Sequence, residues 1–244
     1  MKEYLIALAL SALPAIGNFI GGLIAEYYRV STRLLSLALH GAGGIVLAVV
    51  GVELMPQILQ ANPPWVVILC FFAGGAFFVA LDQAIHLVQT RLGKAQGNTA
   101  AWAIFFGVAV DLFSDGLMIG TGSTIALSLG TLLALGQVSA DIPEGFATIA
   151  TFKRQGISRR NRQLLSASFF FPIFLGTTIG YWAVRGQSLL LQLGLLAFTA
   201  GILTTVVVEE MIPEAHEHSQ DTYLDTLIFL GGFSLFALVS VYFS

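Results

Sequence analysis

Two acidic pairs constrain this chain more than any other feature. Asp111-Leu-Phe-Ser-Asp115 and Asp141-Ile-Pro-Glu144 each lie inside an otherwise apolar run long enough to cross a bilayer. Spacings of four and three put both carboxylates of a pair on one face of a helix. A carboxylate at the centre of a membrane helix costs ~2.5–3.5 kcal/mol on insertion scales, so four together cost on the order of 10 kcal/mol. A cation bound between the two helices offsets that cost. One buried carboxyl could be held neutral by a neighbour. Four in consecutive runs favour a set of ligands.

The membrane reading rests on composition. The chain is 56% hydrophobic and 10% charged, with a mean hydropathy of +0.84, where a soluble domain carries ~25% charge. Apolar stretches fall at roughly 4–27, 33–59, 64–90, 99–121, 125–152, 163–184, 189–214 and 222–243, each near or above the ~20 residues a spanning helix needs. The expectation is an all-α polytopic membrane protein with eight transmembrane helices, forming one transmembrane domain over 1–244. The first run continues past Pro14 to Ile24, longer than the ~7–15 apolar residues of a cleavable leader, so it reads as the first span.

Basic residues set the orientation. With the N-terminus outside, the inner loops hold Arg29, Arg33, Arg91, Lys94, Lys153, Arg154, Arg159, Arg160 and Arg162, against Lys2 and Arg185 outside. Both termini are therefore expected to be extracytoplasmic. The net charge of −3 gives no argument for a nucleic-acid partner; the bilayer is the expected partner. The single cysteine, Cys70, excludes an intrachain disulfide and a thiolate metal cluster.

An internal repeat is visible. Gly44-Ile-Val-Leu-Ala-Val-Val-Gly-Val-Glu53-Leu-Met-Pro56 in the second run aligns with Gly201-Ile-Leu-Thr-Thr-Val-Val-Val-Glu209-Glu210-Met-Ile-Pro213 in the seventh. Val and Ile recur by chance in apolar helices, but Glu and Pro are costly letters in a span and they align too. The two runs cross in opposite directions, the signature of an inverted repeat and of alternating access. Glu53 then lies near the outer end of its span and Glu210 near the inner end of its own, one toward each mouth of a pathway centred on the acidic pairs.

Oxygen-only ligation suits Mg²⁺, Ca²⁺ and Mn²⁺, or weak and permissive binding, whereas imidazole and thiolate favour Zn²⁺, Cu and Ni. The histidines stand away from the acidic pairs. His40, alone on an apolar face, is expected to be a packed, hydrogen-bonded residue. Asp82 and His86 form an i, i+4 pair. His216 and His218 accompany Glu214, Glu217 and Asp221 in what reads as a solvated inner loop, with metal capture or release there as the alternative. No P-loop, dinucleotide fingerprint, H-E-x-x-H or G-x-S-x-G is present, so no enzyme is expected.

Asp141-Ile-Pro-Glu144-Gly145 resembles the fifth-span motif of the ZIP (Zrt- and Irt-like protein) family of divalent metal transporters. Val206-Val-Val-Glu209-Glu210-Met-Ile-Pro213-Glu214 is similar to that family's seventh span. The span count, termini and basic inner loops match as well. The resemblance implies metal import into the cytoplasm through a site between spans four and five. It also implies an elevator-like movement of spans one, four, five and six against the others, and is compatible with a homodimer. Where the family's fourth span reads His-Asn-x-x-Glu/Asp-Gly, this chain has Asp111, Leu112 and Asp115. Ala140 stands where relatives carry Gln or His, and Phe171-Pro172 where short bacterial relatives carry Glu-Pro. Relatives hold two adjacent metals; here one is expected, at Asp111, Asp115, Asp141 and Glu144.

The reading is a bacterial inner-membrane (plasma-membrane) transporter of divalent metal ions such as Zn, Mn, Fe or Cd, with the ion as transported substrate. It enters past Glu53 and leaves past Glu209 and Glu210. The alternative is a ZIP-like protein with an altered substrate or a sensing role.

Overall fold

Apolar length carries nearly all of the chain into helix. The computed structural model describes residues 1–28, 31–91, 98–217 and 222–243. Among these residues run eight long helices: α1 (Lys2–Tyr27), α2 (Thr32–Ile58), α3 (Pro64–Arg91), α4 (Asn98–Ile125), α5 (Leu127–Arg154), α6 (Arg159–Val184), α7 (Leu189–His216) and α8 (Tyr223–Phe243). Seven contain stretches long and apolar enough to cross a membrane. The remaining helix, α5, is 28 residues long, but Gln137, Asp141 and Glu144 interrupt its apolar run. The fold is thus an all-α, polytopic membrane bundle.

Local chemistry marks the boundaries. The hydroxyls of Ser31, Ser158 and Ser188 accept from the backbone N–H three residues on and cap α2, α6 and α7. Gly156 and Gly186 take φ of 76° and 73° in the turns after α5 and α6, where a side chain would be strained. Ala126, in extended conformation, is the single residue that separates α4 from α5.

Two helices widen along their length. Val49–Leu54 in α2 and Val207–Met211 in α7 are π-helical turns, each followed by a proline, Pro56 and Pro213. A proline lacks the N–H an α-turn needs and its ring crowds the carbonyl four residues back; the wider turn relieves both. This corrects the expected end of the seventh span. Instead of entering a loop at Glu214, the chain continues helically over Ile212–Glu217, so Glu214 and His216 stand on the last turns of a helix. Arg29, Lys94, His218 and Asp221 lie outside the described residues, as do the side chains of His86, Arg91 and Glu217.

The helices pack in four pairs: α1 with α5, α4 with α6, α2 with α8, and α3 with α7. Each pair closes through glycines facing backbone. A side chain at Gly44 would collide with the Phe229 carbonyl, and one at Gly232 with the Gly41 carbonyl. In α3 and α7, Gly201 meets Phe71 and Gly74 meets Phe198 in the same way. Gly21 with Ile142, and Gly145 with Asn18, do so between α1 and α5; Gly116 with Ile173, and Gly176 with Phe113, between α4 and α6. With no hydrophobic gain in lipid, such close backbone approach is what holds helices together. Helices α1, α4, α5 and α6 form one group, α2, α3, α7 and α8 the other. They meet where α5 packs on α2 and α4 on α7. The acidic residues lie at that junction.

Candidate metal centre

The pairs on α4 and α5 do face one another. Asp111, Asp141 and Glu144 each offer a carboxylate oxygen, all within 4.8 Å of one another. Asp111 and Asp141 are buried, and Glu144 is half-buried. Pro143 lies inside the helix and does not interrupt it. Asp115 is fully buried one turn further along α4. It stands outside that three-residue group, and its Oδ1 accepts from Gln137 Nε2. Gln137 precedes Asp141 by one turn and shares its face of α5. An amide is not an expected ligand in the sequence, although the 137, 141, 144 spacing puts it on the acidic face of α5.

Several oxygens here have no partner. Asp111 Oδ1, Asp115 Oδ2, Asp141 Oδ2 and Gln137 Oε1 are buried without a hydrogen bond. Each such acceptor costs about 1–3 kcal/mol when left unsatisfied, and more if charged. Unpaired carboxylate oxygens on Asp111 and Asp141, in a group of three carboxylates drawn together from two helices, make an environment that a divalent cation satisfies.

A cavity of about 500 Å³ reaches this cluster. Its wall includes Asp111, Asp141 and Glu144, then Thr148, Thr151 and Arg154 on successive turns of α5, with Asp82 of α3 opposite. Glu209 and Glu210 of α7 line it as well. Glu210 Oε1 stands 3.7 Å from where a side chain at Gly107 would begin, one turn from Asp111 on α4. The cavity therefore runs from the cluster toward the end of the bundle that carries Lys153, Arg154, Arg159, Arg160 and Arg162. That end is braced by the Arg162–Glu26 ion pair and by Lys153 donating to the Ala25 carbonyl at 3.2 Å. Glu53 is placed differently: it is 8% exposed, away from the cavity wall, and accepts from Ser240 Oγ at 2.7 Å.

The three positions expected to differ from the family pattern are placed as follows. Leu112 is fully buried and packs with Phe169 and Ile173. Ala140 belongs to the main core. Phe171 is 71% exposed and directed outward.

Comparison with known proteins agrees with this architecture. The ZIP Zinc transporter family matches residues 89–240, more than half of the chain, and the chain belongs to that family. Human zinc transporter ZIP6 is 26% identical over 167 residues, which cover 63% of this chain and 22% of that protein; the chain thus spans less than a quarter of its length. The zinc transporters ZupT of Enterobacter sp. (strain 638) and Chlorobium luteolum are each 26% identical. The first match covers 87% of both chains and the second 90% of this chain and 91% of the relative. The family is one of transporters.

Proposed function

We propose that this chain is a divalent metal-ion transporter, with the ion held by Asp111, Asp141 and Glu144, and by Asp115 once it turns from Gln137. One transmembrane domain over 1–244 does the work, in the plasma membrane of a bacterium, with both termini outside, and Zn²⁺, Mn²⁺, Fe²⁺ or Cd²⁺ as candidate cargo. A homodimer is compatible with this arrangement, and the chain offers no basis for nucleic-acid binding. The observation that carries the reading is the convergence of three carboxylates from two helices, within 4.8 Å, on the wall of a cavity. The cavity lining reaches Arg154 and Glu214 at the basic end, where cytoplasmic loops are expected, which supports release into the cytoplasm past Glu209 and Glu210. Entry past Glu53 requires the other end to open in its turn.

The helix pairing supports a reading of alternating access. Exchange α1 with α6, α2 with α7, α3 with α8 and α4 with α5, and each pair maps onto another pair. The glycine contacts follow: Gly44 on Phe229 corresponds to Gly201 on Phe71, and Gly232 on Gly41 to Gly74 on Phe198. The π turns of α2 and α7 exchange as well. These correspondences support an inverted repeat whose halves can trade conformations.

The chain reads as a short bacterial ZIP protein with altered fourth- and sixth-span motifs. Leu112, Ala140 and Phe171 favour one further reading, a ZIP protein with an altered substrate or a sensing role. Uptake into proteoliposomes across Zn²⁺, Mn²⁺, Fe²⁺, Co²⁺, Cd²⁺ and Mg²⁺ separates the two. Saturable uptake of at least one ion, lost in Asp115→Ala/Glu144→Ala, is expected. Uptake unchanged in that double variant rules out this site; no uptake of any ion by folded wild-type protein favours the altered role.

A further inference from the structure

Beside the open end of the cavity, two imidazoles meet. His40 lies in the first half of α2 and is 5% exposed. Its Nδ1 stands 2.8 Å from the Ser36 carbonyl oxygen. A carbonyl only accepts, so Nδ1 carries the proton and Nε2 of the neutral ring presents a lone pair. That lone pair faces Nε2 of His216, on the last turn of α7, at 3.2 Å. The rings are tilted by 47° with centroids 5.1 Å apart, an edge-on meeting of nitrogens and not a stack. Asp225 of α8 lies 3.8 Å from His40 Nδ1 and is itself held by Arg33 at 2.8 Å and by the Thr222 N–H at 2.7 Å.

Two features of this pair belong to metal ligands. A tetrahedral ion bound at ~2.0–2.1 Å by two imidazoles holds their nitrogens about 3.3 Å apart. A ligating histidine donates its other ring N–H to a carbonyl or carboxylate, which fixes the tautomer and aims the lone pair. His40 does so while buried.

We propose that His40 Nε2 and His216 Nε2 form a second metal site, separate from the carboxylate cluster, that takes a borderline divalent cation such as Zn²⁺ as it leaves the cavity. The cavity wall includes Leu39 beside His40, and Pro213 and Glu214 within a turn of His216. Only the direction of the ion's travel rests on the transporter reading; the site itself stands on the imidazole geometry. His216 is exposed, so water completes the shell and the ion exchanges readily. The carboxylate cluster accepts hard cations, and an imidazole pair at the exit favours Zn²⁺, Cu²⁺ and Ni²⁺ over Mg²⁺ and Ca²⁺. Selection by ligand class is thus added after the main site.

The test is Zn²⁺ binding stoichiometry of the chain in detergent micelles, with Cu²⁺ electron paramagnetic resonance to identify ligands. Wild type is expected to bind one more Zn²⁺ per chain than His216→Ala, whose exposed position leaves folding intact, and His40→Gln is expected to match that variant. Asp111→Asn/Glu144→Gln is expected to lose a different ion and to keep the nitrogen couplings of two imidazoles. Wild-type stoichiometry in His216→Ala, or Cu²⁺ spectra without nitrogen coupling, overturns the site and leaves the pair as a hydrogen bond between helices. Histidine-dependent binding in a wild-type protein that takes up no ion keeps the site and removes its role in exit.

Discussion

Val49–Leu54 and Val207–Met211 are the same device at opposite ends of the bundle. Each is a π turn, carries a glutamate and precedes a proline. Their surroundings differ. Glu53 is buried and accepts from Ser240, whereas Glu210 lines the cavity with Asp82 on the same wall. Counting eight residues on from the glycine at each crossing explains the difference: from Gly232 the count reaches Ser240, and from Gly74 it reaches Asp82. A hydroxyl donates to a carboxylate and closes the gap. A second carboxylate accepts only, repels the first and favours water between them. The contrast comes down to a hydroxyl that donates to Glu53 against a carboxylate that shares a cavity wall with Glu210.

The strongest way to break this contrast is Ser240→Asp. It puts a second acid against Glu53 in place of the hydroxyl that donates to it. An unpaired charge in such a site costs about 3–5 kcal/mol, so the variant is expected to melt far below wild type in detergent or to fail to fold. An unchanged melting temperature would mean that the Glu53 end is already hydrated.

Gly44→Ala and Gly201→Ala test whether the frame is shared at all. Both methyl groups would run into backbone carbonyls, of Phe229 and Phe71 respectively. Backbone yields less easily than a side chain, and overpacking costs about 1–3 kcal/mol. The two variants are expected to lose similar stability in thermal unfolding. A large loss in one and none in the other would show that the crossings are not equivalent.

Asp82→Ser sharpens the contrast from the other side. It gives the open end the hydroxyl that the closed end has. A hydrogen bond to a charged group is worth about 1.5–3 kcal/mol, and 1.4 kcal/mol is a factor of ten in an equilibrium. In a Cys70→Ser background, a cysteine replacing Thr151 on the cavity wall is expected to react with a water-soluble thiol reagent about tenfold more slowly once Asp82→Ser is added. An unaltered labelling rate would detach the cavity from this residue pair.

How legible these features are in the chain itself varies with their physics. Seven of the spans read well because bilayer thickness imposes length and apolarity on each alone; α5 is the exception, its apolar run broken by Gln137, Asp141 and Glu144. The carboxylate cluster reads because spacing along a helix fixes its face. Glu214 and His216 read as loop residues in the sequence, and only the π turn before Pro213 shows how the helix continues past it. Gln137 escapes because an amide is an ordinary helix residue until Asp115 is beside it. Neither the Glu53–Ser240 bond nor the His40–His216 contact could be read, since each joins residues more than 170 positions apart through helix pairings that the glycines decide.

The smallest effect comes from Gly51, and it tests the repeat where it is least constrained. Gly51 sits inside the π turn of α2, and nothing lies within 4 Å of where its side chain would begin. Its counterpart seven residues after Gly201 is Val208, 57% exposed, so the same turn already carries a β-branched side chain in α7. Nor does Gly51 take a positive φ. A glycine within a helix costs about 0.5–1 kcal/mol relative to alanine through the freedom it has when unfolded. Gly51→Ala is therefore expected to raise the melting temperature slightly while leaving uptake unchanged. Stability gained with uptake lost would mean that the α2 turn must flex, or that Gly51 receives a neighbour, when the closed end opens; the two π turns would then be alike in shape but not in the freedom transport demands of them.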